Sequence, residues 1–91
     1  MQHETLLHNM IRIAIVDDHA MVRAGLRQFF ADQIAFSVVA EASNGREALD
    51  IVRKGDVDVI VMDISMPEHS GVDALAAIKA RRPELPVLIL S

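Results

Sequence analysis

Hydrophobic positions change their period several times along this chain. Ile11, Ile13, Ala14, Ile15 and Val16 form an apolar, largely β-branched run, broken only by Arg12, that ends on Asp17-Asp18. This predicts a short strand running into a polar turn. Over residues 20–32, Met21, Val22, Leu26, Phe29 and Phe30 recur at spacings of three and four, the apolar stripe of one helix. Phe36–Ala42 predicts a second strand. In Ser43-Asn44-Gly45-Arg46-Glu47, Asn44 is suited to cap a helix and Glu47 to reach back to its start. Ala48, Leu49 and Val52 then give that helix its apolar face, and Gly55 stops it. Residues 57–62 are apolar apart from Asp58 and run into Asp63, as expected of a strand buried on both faces. A loop over 64–70 contains Pro67. Val72, Leu75 and Ile78 mark a third helix ending before Pro83, and Val87–Leu90 follows Pro86 as a fourth strand. Residues 1–10 show no clear period and read as a flexible N-terminal extension ahead of one domain over 11–91, with Met10 an alternative start.

The predicted order is βαβαβαβ. Strands alternating with helices at this spacing imply a parallel sheet with right-handed crossovers and helices on both faces. The expected fold class is α/β, a flavodoxin-like sheet in the order 2-1-3-4. In that order the first and third strands are neighbours, and ligands of such sheets sit in the crevice beyond their carboxyl ends.

Composition narrows the function classes. A chain of 91 residues makes one small domain, and 52% apolar residues argue against disorder. A formal charge of −4 gives no general attraction to nucleic acid or to an anionic membrane. Without cysteine, thiolate catalysis and Cys-based zinc sites are excluded. The longest apolar run, Ala74–Ile78, has five residues where a membrane span needs about 20. No secretory signal pattern opens the sequence, so a cytoplasmic location is expected.

Candidate chemistry lies in the acids that end two strands, Asp17-Asp18 and Asp63. Neighbouring parallel strands lie about 4.8 Å apart, so these carboxylates should converge. Close carboxylates repel and raise one another's pKa unless a cation neutralises them. Oxygen donors without Cys favour Mg²⁺ over zinc. A bound Mg²⁺ beside a carboxylate suits phosphoryl transfer to that carboxylate, with Asp63 the best-placed nucleophile. Each acid alone also reads as a solvated strand end. His19 beside the pair reads either as a proton donor or ligand, or as a partly exposed residue at the helix start. His3, His8 and His69 show no ligand spacing, and Lys79, Arg81 and Arg82 read as a solvated helix end.

Val16-Asp17-Asp18-His19, then Met62-Asp63-Ile64-Ser65-Met66-Pro67 with Gly71, then a fourth strand ending in Ser91, resemble the receiver domain of bacterial response regulators. The stretch Ser43-Asn44-Gly45-Arg46-Glu47-Ala48-Leu49 is similar to the NarL/FixJ class of transcription regulators. The resemblance implies that Asp63 accepts phosphate from a sensor histidine kinase. It implies that Asp17, Asp18, Asp63 and the backbone carbonyl of Ser65 hold Mg²⁺, and that Ser91 is a switch hydroxyl. Met66, Pro67 and Gly71 would shape the loop after the phosphoacceptor, Gly71 by permitting a sharp turn.

The sequence departs from the receiver pattern after the fourth strand. The fifth strand, its lysine and the last two helices have no counterpart, so a truncated receiver, impaired in its response, is expected. Lys79 cannot replace that lysine, because it belongs to the third helix. Ala20 stands where relatives commonly have proline. A fourth strand left apolar at the sheet edge predicts self-association, by edge pairing or exchange of elements. Two further readings stay open: a chemically silent interaction fragment, and a magnesium-dependent phosphohydrolase. The second is disfavoured because Ser65 stands where those enzymes usually have a second aspartate. A non-enzymatic signalling module without direct nucleic-acid or membrane binding is expected.

Overall fold

The computed structural model describes residues 10–66 and 70–90. The expectations placed on residues 1–9, Pro67, His69 and Ser91 lie outside the described residues. The elements are β1 (Ile11–Val16), α1 (Ala20–Ala31), β2 (Phe36–Ala42), α2 (Gly45–Lys54), β3 (Val59–Asp63), α3 (Ser70–Arg81) and β4 (Val87–Leu90). All pairings are parallel and the sheet order is β2-β1-β3-β4, as the alternation of periods predicts. No helix among the described residues is long and apolar enough to cross a membrane.

Strand alternation divides the core between two faces. Ala14, Val16, Ile60 and Met62 point to α2 and α3, where they meet Ala48, Val52, Ala74 and Ile78. Ile13, Ile15 and Val61 point the other way, toward Leu26 and Phe30 of α1. The α1 face is the thinner one. Only part of the predicted stripe packs: Met21 is 88% exposed and Phe29 58%, while Leu26 and Phe30 lie against the sheet. Phe30 completes an edge-on aromatic contact with Phe36, its ring centre 5.5 Å away.

β2 carries a feature that periodicity does not reveal. Its register against β1 shifts between Ile13 and Ala14, so that Ile13 faces Val38 but Ala14 faces Ala40. Val39 is the extra residue of this bulge. Phe36 and Val38 therefore pack on the α1 face, whereas Ala40 and Ala42 pack on the opposite one. Glu41, opposite Ile15, is turned onto the α1 face, where Arg23 and Arg27 meet it.

α2 begins as predicted, with one difference. Asn44 Oδ1 accepts the Glu47 N–H at 2.9 Å, but Glu47 reaches back to Ser43, accepting from its N–H at 2.7 Å and its hydroxyl at 3.0 Å. The capping pair is thus displaced by one residue toward the strand. At the other end Gly55 takes φ 76°, the left-handed conformation that glycine adopts without a Cβ clash.

β3 is shifted from the predicted 57–62, starting at Val59 and including Asp63. The reason is Asp58. Its carboxylate accepts the Arg12 backbone N–H at 2.8 Å and the guanidinium at 3.1 Å, so a side chain takes the donor that a ladder would use. The pair is exposed, and Arg12 holds the Asp58 carboxyl below its ordinary range.

Gly71 corrects another expectation. It lies inside α3 rather than in a sharp turn, and Gly55 is the glycine with positive φ among the described residues. A Cβ on Gly71 would stand 2.5 Å from the Ile64 Cα and 2.8 Å from its carbonyl oxygen. Gly71 is therefore required by close backbone approach, which lets α3 lie against the residue that follows Asp63. Met66 is buried in the adjacent core.

Two substitutions test this architecture. Gly71→Ala is expected to lower stability by about 1–3 kcal/mol through overpacking, seen as a lower midpoint in urea. Asn44→Ala is expected to cost about 1 kcal/mol through the lost cap, with an unchanged denaturant slope.

Candidate functional site

β1 and β3 pair with Val16 opposite Met62, so the next residue of each strand, Asp17 and Asp63, reaches the same rim of the sheet. Ligand atoms of Asp17, Asp18, His19 and Asp63 all lie within 4.8 Å of one another. The convergence expected of the three acids is thus present, and His19 joins it. Asp17 is 3% exposed and Asp63 8%, while Asp18 is partly buried.

Each strand-end aspartate folds its own turn. Asp17 Oδ1 accepts the His19 N–H at 2.7 Å. Asp63 Oδ1 accepts the Ser65 N–H at 2.8 Å and the Ser65 hydroxyl at 2.6 Å. Both are local side-chain-to-backbone turns of the kind aspartate favours. The expected rise in pKa through carboxylate repulsion does not hold for Asp63. The Ser65 hydroxyl, then the Ser65 N–H, hold its carboxyl below the usual range against the opposing effect of burial, and the neighbouring His19 charge adds to this. Asp63 is consequently an ionised carboxylate at neutral pH, the form a nucleophile requires.

His19 is a largely exposed residue at the helix start, one of its two sequence readings. Its Nδ1 lies 3.2 Å from Asp17 Oδ1 and 3.0 Å from Asp18 Oδ1. The approach to Asp18 is close but poorly aligned, so Asp18 Oδ1 is buried without a hydrogen-bond partner. An orphaned carboxylate oxygen facing two further carboxylates is costly unless a cation shares it. Hard oxygen donors at this density fit Mg²⁺.

The remaining candidates fall as follows. Ser65 contributes its N–H and hydroxyl to Asp63, a role that was not anticipated for it. Lys79 donates to the carbonyls of Pro83 and Leu85, in the connection leading into β4. Asp63 pairs with Leu90 at the far end of that strand, so Lys79 serves the opposite rim. Arg82 pairs with Glu84 at 2.9 Å, in keeping with a solvated helix end.

Sequence reasoning passed over Arg23. Its Nη1 donates to the Asp17 carbonyl at 2.7 Å, and its Nε lies 3.4 Å from Glu41. The available signal was a lone acid in an otherwise uncharged strand together with two arginines four residues apart on the preceding helix.

Comparison with known proteins agrees with this geometry. Residues 13–91 match the family described as the response regulator receiver domain. The chain is 40% identical over 89 residues to the transcriptional regulatory protein DegU of Brevibacillus brevis, covering 98% of this chain and 38% of that protein. It is 44% identical over 81 residues to a protein-glutamate methylesterase/protein-glutamine glutaminase of Paramagnetospirillum magneticum, covering 89% of this chain and 22% of that protein. A crystal structure of a LuxR-family two-component response regulator from an Aurantimonas species superposes with TM-score 0.82 at 35% identity, covering 88% of this chain and 57% of that one. The chain thus spans little more than a third of the length of the DegU protein, and its relatives are mostly transcriptional response regulators. A flavodoxin-like sheet in the order 2-1-3-4, an acid cluster at the β1–β3 rim and a family match over residues 13–91 together identify the chain as a member of the response regulator receiver domain family.

Proposed function

We propose that this chain is a phosphoacceptor module in which Asp63 takes a phosphoryl group from the phosphohistidine of a sensor kinase. The observation that carries the reading is the buried Asp18 Oδ1, without a hydrogen-bond partner, facing Asp17 and Asp63 at one rim. In the transfer, an Asp63 carboxylate oxygen bonds to phosphorus as the phosphorus–nitrogen bond breaks, and the donor imidazole leaves with the electron pair. Asp17, Asp18, Asp63 and the Ser65 backbone carbonyl are the residues that would hold Mg²⁺. When bound, the ion offsets charge on the phosphoryl oxygens.

The chain's own residues prepare the acceptor. Ser65 fixes one oxygen of Asp63 through two donors and keeps the carboxylate ionised. Ser91 follows Leu90, the β4 partner of Asp63, and is the proposed switch hydroxyl. The transcriptional regulators among its relatives support a parent protein that is a DNA-binding transcription regulator, within which this module would signal. Ser65 donates to Asp63 at the position where phosphohydrolases have a second acid, which favours a module that accepts phosphate over one that turns over phosphate esters.

A specific observation favours a second property, self-association. β4 lies at the sheet edge and is wholly apolar, with Leu88 56% exposed and Ile89 37%. In the 91-residue chain by itself, an uncharged edge of this kind is a template for pairing with a second copy.

Four outcomes test these readings. With acetyl phosphate and Mg²⁺, intact-mass measurement is expected to show one added phosphoryl group, absent in Asp63→Asn. Mg²⁺ at one hundred times its Kd is expected to stabilise the fold by about 2.7 kcal/mol, and a melting temperature that ignores Mg²⁺ would count against the site. Because the Asp63 pKa is lowered on folding, its contribution to stability is complete above the unfolded value of about 3.9 and is lost as pH falls through the folded value. Ser65→Ala is expected to raise the Asp63 pKa in a carboxyl NMR titration and to move the acid-unfolding transition to higher pH. For self-association, light scattering after size exclusion is expected to show concentration-dependent oligomers that Leu88→Lys shifts toward monomer.

A further inference from the structure

The turn carrying the acid pair is fixed on every polar side of Asp17. Its N–H donates to the Ala42 carbonyl of β2 at 3.0 Å, and its carboxylate accepts the His19 N–H at 2.7 Å. Its own carbonyl accepts from Arg23 Nη1 at 2.7 Å. Arg23 stands one turn into α1 and is mostly buried, and its Nε lies 3.4 Å from Glu41 Oε1. The other Glu41 oxygen is held by Arg27 Nη1 at 2.6 Å. Glu41 reaches this face only because the bulge at Val39 shifts the register of β2 between Ile13 and Ala14.

We propose that Arg23 and Glu41 form a positioning pair that holds the Asp17-Asp18 turn at the height where both acids can grip a divalent cation together with Asp63. The physical basis is the shape of guanidinium. A rigid planar fork turns Nη1 to one partner while its Nε edge faces another, so the ion pair of that edge with Glu41 at 3.4 Å biases Nη1 toward the Asp17 carbonyl. Without that anchor the carbonyl turns to water and the two carboxylates after Val16 lose their common orientation. Partners that orient metal ligands in this way are worth ten- to hundredfold in affinity. Arg27 supplies a built-in control, because among the described residues its hydrogen bond goes to Glu41 and not to the turn. The inference rests on the receiver reading above for its cation, and deepens it by naming the residues that set the ligands.

The experiment measures Mg²⁺ affinity by isothermal titration calorimetry and the Mg²⁺ dependence of labelling by acetyl phosphate, in Arg23→Met, Arg27→Met and Glu41→Gln. Arg23→Met is expected to raise the Mg²⁺ Kd about tenfold. The Mg²⁺ concentration for half-maximal labelling should move by the same factor, while the rate at saturating Mg²⁺ stays within about twofold. Glu41→Gln is expected to give a smaller rise in the same direction, and it carries the test if Arg23→Met does not fold. Arg27→Met is expected to lower the melting temperature without moving the Kd. An unchanged Kd in both Arg23→Met and Glu41→Gln, or an equal loss in Arg27→Met, would overturn the proposal. Amide exchange of His19 in the metal-free chain separates the two readings. If the parent chain takes up no Mg²⁺, the receiver reading fails. Faster His19 exchange in Arg23→Met than in Arg27→Met then still supports positioning, and equal exchange sinks it.

Discussion

The site depends on one constraint, the parallel pairing of β1 with β3 in a register that sets Val16 beside Met62. Backbone hydrogen bonding fixes that register, and buried side chains on both faces hold it, since slippage by one residue would turn Ile60 and Met62 out of one core and Val61 out of the other. Asp17 and Asp63 emerge at the same rim as a result. The carboxylates converge because the sheet leaves them no other place.

Concentrating negative charge in this way is unfavourable, and the structure answers it locally. Two donors from Ser65 converge on Asp63, one from the His19 backbone serves Asp17, and the His19 ring lies between Asp17 and Asp18. One oxygen of Asp18 is left without a partner. The rim is thus stabilised short of full satisfaction, the state expected of a cluster meant to share a cation. Gly71 extends the same logic to the far side of Asp63, because its missing Cβ lets α3 close against Ile64.

The two faces of the sheet contribute unequally. α2 and α3 bury a continuous core that makes β3 rigid, whereas α1 covers its face with Leu26 and Phe30 and leaves Met21 and Phe29 in solvent. α1 compensates with charge. Arg23 and Arg27 bind Glu41 of β2, and Arg23 also holds the turn after β1. A helix that packs weakly therefore still ties β2 to the turn that follows β1.

Local pattern alone determined much of this protein. The order of elements follows from changes of period, the α2 start from Asn44 and Glu47, its end from Gly55, and the acid pair from its place after a β-branched run. These are short-range effects, set by hydrogen bonds and side-chain spacing within a few residues. Tertiary structure decided what depends on a partner distant in sequence. Asp58 moved the start of β3 because Arg12 lies beside it, and Gly71 proved to be a contact with Ile64 rather than a turn. The exposure of Met21 was likewise hidden, since a stripe of apolar residues does not reveal how much of it the sheet can cover. The bulge in β2 and the consequent placing of Glu41 belong to the same class. Phe36–Ala42 reads as one continuous strand, and only the pairing with β1 shows that Val39 is the residue left over.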